Sequence, residues 1–199
     1  MISIGYNLKN WKYSREPIWK NLEDVTIWVI GCWRIGQKVI ELLKNFPCKI
    51  VTYDIVFWFK QKEDWLINLE NNLHSQWVKT FSNLDKFLEV SNYISVHIPW
   101  FYENLWLLNY SKLQNIGWIV NMARAGIVVE EDILKLLDEW KMEFYVSDVL
   151  EGEPYIEKIN QKLIKHPKVF ITPHIGANTY QVQIDILEKL LDFLKWQKF

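Results

Sequence analysis

Glycine is scarce in this sequence, with 7 residues in a chain of 199, about half of its usual share of roughly 7%. Cysteine is scarcer still: Cys32 and Cys48 alone give neither a disulfide framework nor a metal-binding spacing. Both sit in apolar context and are expected to be reduced core thiols. Net charge is nearly absent, 23 Lys and Arg standing against 24 Asp and Glu, so there is no electrostatic footprint for nucleic acid or for an acidic membrane surface. No apolar run reaches the roughly 18 residues of a membrane span, and residues 1–10 lack the basic flank, apolar stretch and small-residue cleavage site of a secretory leader. The chain therefore reads as cytoplasmic. Internal repeats and low-complexity tracts are missing as well. One residue runs the other way: tryptophan occurs 12 times.

What is present is a globular balance, 50% apolar and 24% charged, enough for one sizeable core and too apolar for disorder. Short β-branched runs at 26–30, 49–53, 93–97, 118–122, 144–148 and 169–171 alternate with helical periodicity at 35–45, 83–90, 131–139 and 180–194. The strand runs are mostly continuous rather than alternating, as befits strands buried on both faces of a parallel sheet. Ser82 is placed to cap the second helix, and Glu130, Glu131 and Asp132 suit the positive end of the third. The pattern predicts an α/β, doubly wound parallel sheet of Rossmann type. Residues 55–76 read as a polar, partly helical, elaborated connection. Residues 6–20 mix aromatics with Lys and Arg, and read as an amphipathic lead-in packed on the domain in preference to a single-strand or membrane-interface surface.

Directly after the first strand comes Gly31-Cys32-Trp33-Arg34-Ile35-Gly36, then a helix, and Asp54 closes the second strand, near the usual spacing of about twenty residues. In a dinucleotide site the first glycine makes the tight turn, the second lets the backbone approach the pyrophosphate, and the third lets helix pack on strand. Here the second is Trp33. Asp54 would bind the ribose hydroxyls and repel a 2′-phosphate, which favours NAD over NADP; its plainer reading is a strand-capping aspartate. Three more segments, 121–126, 147–154 and 172–177, begin where predicted strands end, which is where the crevice of an open parallel sheet lies. They carry Arg124, Glu153 and His174.

Together these segments resemble the NAD-binding domain of the D-isomer-specific 2-hydroxyacid dehydrogenases, over nearly the whole chain from about Asn7, and the His174-Ile175-Gly176-Ala177 loop is most like the phosphoglycerate dehydrogenase branch. The resemblance implies hydride transfer between NAD(H) and a D-2-hydroxy or 2-keto acid, with 3-phosphoglycerate suggested by that loop. It implies that Arg124 binds the substrate carboxylate, that His174 exchanges a proton with the substrate oxygen, and that Glu153 orients and charges the imidazole. Cofactor contacts are expected from Gly31, Trp33, Arg34, Ile35, Gly36, Asp54, His97, Pro99, Met122, Ala123, Arg124, Asp148, His174, Gly176 and Ala177, with Asp148 near the nicotinamide ring. No metal is implied. A homodimer through this domain is implied too. The chain then divides into a lead-in at 1–20, a nucleotide domain at 21–178 and a C-terminal helix at 179–199. Taken singly, Arg124 reads as a surface ion-pair partner and Glu153 as a solvated loop residue. His97 either lines the cleft or ends a strand, and His74 and His166 read as solvated.

Several departures from that family pattern stand out. Most of a substrate-binding domain would precede this segment and is expected to be missing, as is any regulatory extension after Phe199. Ala125 and Val129 replace a glycine and an acidic residue. Above all, Trp33, Trp77 and Trp140 fall where glycine belongs, the last two at places where a left-handed residue stops a helix, at a cost of about 1–2 kcal/mol for a residue with a side chain. Trp28 and Trp118 lie in buried strands where small residues are expected. This placement suggests codons read as glycine in the source organism; the competing reading is a Trp-rich domain whose indoles are core anchors. The rival functional readings are a non-catalytic NAD-binding interaction module and an inactive fragment.

Overall fold

The computed structural model describes residues 21–55, 64–75 and 78–196. Seven strands, β1 (Thr26–Ile30), β2 (Lys49–Tyr53), β3 (Lys79–Phe81), β4 (Tyr93–Val96), β5 (Trp118–Asn121), β6 (Phe144–Ser147) and β7 (Val169–Ile171), form one sheet. Every pairing is parallel, in the order β3-β2-β1-β4-β5-β6-β7. The order reverses at β1, which lies between β2 and β4 and opens the ligand crevice of a doubly wound sheet. β4, β5 and β6 each end one residue before the predicted boundary, so His97, Met122 and Asp148 stand in the loops at the crevice rather than on the strands. β3 was not expected: it is a three-residue edge strand that begins on a lysine, too short to show a period.

The described helices are α1 (Arg34–Leu43), α2 (Asp64–Ser75), α3 (Leu84–Val90), α4 (Glu130–Asp138), α5 (Gln161–Lys165) and α6 (Tyr180–Trp196). α2 lies in the polar connection after β2, and its Leu69 and Leu73, one turn apart, are buried with Val29, Ile40, Ile50 and Val78 on one face of the sheet. The other face packs Trp28, Ile30, Val51, Phe87, Ile94 and Val96. Adjacent residues of β1 thus serve opposite layers. Burying each such side chain contributes about 1.5–3 kcal/mol, which is why the strands read as unbroken apolar runs. Asn83, not Ser82, caps α3: its Oδ1 accepts the Lys86 N–H at 2.9 Å, because the extended cap position falls one residue later than predicted. The lead-in and Trp77 lie outside the described residues.

The tryptophans divide by environment. Trp28 is buried, edge-on to Phe87 at 5.1 Å, and Trp118 sits between Tyr93 and Phe144 while its Nε1–H donates to Glu143 at 2.7 Å. Those two act as packing anchors. Trp106 and Trp140 are exposed and hold left-handed backbone, with φ of 54° and 57°.

Candidate active site

The tight turn after β1 is built for glycine at its two ends. Gly31 has φ of 91° and a Cβ there would lie 2.8 Å from the His97 carbonyl carbon and oxygen; one at Gly36 would lie 1.8 Å from the Gly31 carbonyl oxygen. The turn is fastened on both sides: Gly31 N–H donates to Tyr53 O at 2.8 Å, and His97 N–H donates to Ile30 O at 2.7 Å. Asp54, at the end of β2, accepts the Cys32 N–H on Oδ2 at 2.6 Å, so its carboxylate ties the second strand to the turn. Trp33 caps α1 in extended backbone, and Arg34 and Ile35 follow it on the exposed first turn. His97 stands directly after β4, at the strand end beside the turn. Its backbone touches the turn, its Nε2 is 2.7 Å from Ser95 Oγ, and burial pushes the imidazole down to about 4, which keeps the ring neutral. Pro99 is exposed, and its carbonyl accepts the Asn104 side chain.

Across the crevice, the loop after β5 is shaped by Asn121. Its Oδ1 accepts the Ala123 N–H at 3.1 Å and its Nδ2 donates to Arg124 O at 3.2 Å, which presents Met122 and Arg124 to solvent and buries Ala123. After β6, Asp148 is 5% exposed and serves as the anchor of the loop after β7. Its Oδ1 accepts the Thr172 hydroxyl and the Ile175 N–H, and its Oδ2 accepts the Gly176 N–H at 2.7 Å. Burial works against the charge, but these hydrogen bonds and the nearby His174 outweigh it and hold the Asp148 carboxyl below its ordinary value. The loop so fastened carries His174 at φ of 53°. His174 Nδ1 meets Glu153 Oε2 at 2.8 Å, while Glu153 Oε1 accepts the Leu150 N–H. Ala177 follows on the exposed side of the same loop.

Two residues at this edge escaped the sequence reading of the site. Thr172 helps fasten Asp148, and Glu130, seen only as an acid suited to a helix start, is 4% exposed and accepts the Glu151 N–H on Oε1 at 2.7 Å. It thereby holds the segment that leads to Glu153. Burial pushes the Glu130 carboxyl up to about 7 from 4.5. The folded chain therefore keeps a proton that the unfolded chain releases, and stability falls as pH rises from about 4.5 through 7. Glu130→Gln retains the acceptor without the charge, and should flatten a loss of roughly 3 kcal/mol between about pH 5 and pH 8 in urea titrations; an unchanged slope would contradict this. Of the two remaining histidines, His74 is exposed, as expected, whereas His166 is partly buried. His74 Nε2 lies 3.1 Å from Thr80 Oγ1, and His166 is half-buried, with Nδ1 accepting the Lys168 N–H at 3.2 Å and Nε2 at 3.5 Å from Asp138.

Residues 4–176 match the family model described as D-isomer specific 2-hydroxyacid dehydrogenase, NAD binding domain. The chain belongs to that family. It is 30% identical over 174 residues to a D-lactate dehydrogenase of Lactiplantibacillus plantarum, covering 80% of this chain and 48% of that protein. It is likewise 30% identical over 192 residues to a hydroxypyruvate reductase of Thermotoga maritima, covering 92% of this chain and 58% of that one. The chain thus spans about half the length of the curated relatives it matches. In fold it resembles the D-lactate dehydrogenase of Aquifex aeolicus solved with NAD and lactic acid, at TM-score 0.79 and 24% identity, over 98% of this chain and 60% of that one.

The family's NAD fits this edge at most points. The Gly31–Gly36 turn leaves no room for side chains at its ends, and Asp54 stands at the end of β2, the place for a ribose-binding acid. Trp33 is the misfit: it is 54% exposed and stands at the second position of the turn, where a glycine would let the backbone approach the pyrophosphate.

Proposed function

We propose that this domain serves the interconversion of a D-2-hydroxy acid and its 2-keto acid, with Arg124, Glu153 and His174 as the catalytic set. The observation that carries this reading is the 2.8 Å contact between His174 Nδ1 and Glu153 Oε2, held at the carboxyl edge of the sheet by the Asp148 anchor. Glu153 accepts the proton on Nδ1, which fixes the ring and leaves Nε2 to face the substrate oxygen. In reduction, the imidazolium donates its Nε2 proton to the keto oxygen and becomes neutral, its charge having been balanced by the Glu153 carboxylate at Nδ1. In oxidation, Nε2 takes the hydroxyl proton. A bound nicotinamide would supply or accept the hydride at the carbon that bears this oxygen. Arg124 Nη1 donates to Ala123 O at 2.6 Å, and the remaining donors of its guanidinium serve the substrate carboxylate.

The substrate in this reading is a small 2-hydroxy acid of the class named in the relatives, and the His174–Ala177 loop makes 3-phosphoglycerate a member worth assaying. Residues 21–178 form the nucleotide domain, flanked by segments 1–20 and 179–199. The working unit is a cytoplasmic homodimer. The test is NADH titration followed by addition of pyruvate, hydroxypyruvate or 3-phosphohydroxypyruvate to a protein that carries this domain together with a substrate-binding domain. NADH binding and its oxidation by one of these acids supports the proposal. Binding without oxidation by any of them would favour a non-catalytic module, and absence of both would overturn the cofactor role of this chain.

A further inference from the structure

We infer that the natural polypeptide carries glycine at positions 33, 106 and 140, the codons written as tryptophan there being decoded as glycine. Three independent features meet in this inference. The first is the backbone after α4. Glu139 is the last helical cap, the Trp140 N–H donates to Leu137 O at 3.3 Å, and the Lys141 N–H donates to Leu136 O at 3.0 Å. That pair of reversed hydrogen bonds is a Schellman closure, and its left-handed residue, here Trp140 with φ of 57°, is the position where glycine is favoured most strongly. The indole gains little in return, being 82% exposed, with Lys168 Nζ lying 3.6 Å over its ring.

The second feature is Trp106, which nothing in the sequence pattern marks. It too is left-handed, at φ of 54°, and 63% exposed. Its N–H donates to Gly126 O at 2.7 Å and its carbonyl accepts the Asn109 side chain at 3.3 Å. The backbone is therefore fixed from both sides while the side chain packs loosely. The third feature is Trp33, whose φ of −85° is ordinary. Here the argument is ligand space between Gly31 and Gly36, and this position alone rests on the cofactor reading. Trp28 and Trp118, with ordinary packing around their rings, carry no such argument. Composition points the same way, with 12 tryptophans against 7 glycines.

Peptide mass spectra of the protein isolated from its natural source test the inference directly. Glycine masses at 33, 106 and 140 are the expected result, and tryptophan masses at 106 and 140 would overturn it. Tryptophan at 33 beside glycine at 106 and 140 would remove position 33 from the inference, while glycine at all three without NADH binding would defeat the cofactor reading and leave the decoding intact. A second measurement works on recombinant chains. Trp106→Gly and Trp140→Gly should each raise the urea midpoint, whereas a lowered midpoint for both would show that the indoles belong.

Discussion

His174→Ala lowers kcat for 2-keto acid reduction by roughly 10²- to 10⁴-fold in a turnover-competent form of the protein, the range expected when a positioned proton donor is removed. The imidazole is placed by its neighbours rather than by its own backbone preference. His174 stands at φ of 53° because Asp148 grips the residues on either side of it, and Glu153 holds its Nδ1 at 2.8 Å. Glu153→Gln leaves an acceptor for Nδ1–H but removes the charge, so kcat falls by less than in the histidine variant. KM for the keto acid responds more to Arg124, which grips the carboxylate, than to either. Full turnover by His174→Ala would refute the proton-transfer role.

Asp148→Ala destabilises the fold by about 1–3 kcal/mol, because it removes the shared acceptor of the Thr172 hydroxyl and of two backbone N–H groups, while water regains part of the loss at the exposed Ile175 and Gly176. The family resemblance places this aspartate near the nicotinamide ring; in the structure both of its oxygens are already engaged with the His174 loop. Because its carboxyl lies below 3.8 in the fold, its contribution is present above the ordinary aspartate range and is lost as pH falls through the folded value. Urea unfolding at neutral pH measures the first effect, and a loss under about 1 kcal/mol would contradict the anchor role. The same variant frees His174 from its left-handed backbone, so catalysis suffers along with stability.

Much of this was legible because a doubly wound sheet repeats one local rule. Each apolar run at 26–30, 49–53 and 169–171 ends in a turn marked by Gly, Asp or Pro, and the same rule brought Arg124, Glu153 and His174 to one edge. What stayed hidden depends on contacts distant in sequence. β3 is held as a strand only by pairing with β2. The choice between Ser82 and Asn83 as cap turns on a single residue of backbone geometry. Glu130 reads as an acid at a helix start, and only the fold brings the Glu151 N–H onto it. Trp106 sits in a loop whose left-handed turn no periodicity announces.

Calorimetric titration of NADH into the chain as written and into Trp33→Gly tests the central claim most directly, that the Gly31–Gly36 turn is a dinucleotide cradle. The account predicts binding by the glycine variant and at least a tenfold weaker response, or none, with tryptophan in place, a difference of about 1.4 kcal/mol or more. Failure of both folded chains to bind, or equal binding by both, would contradict it.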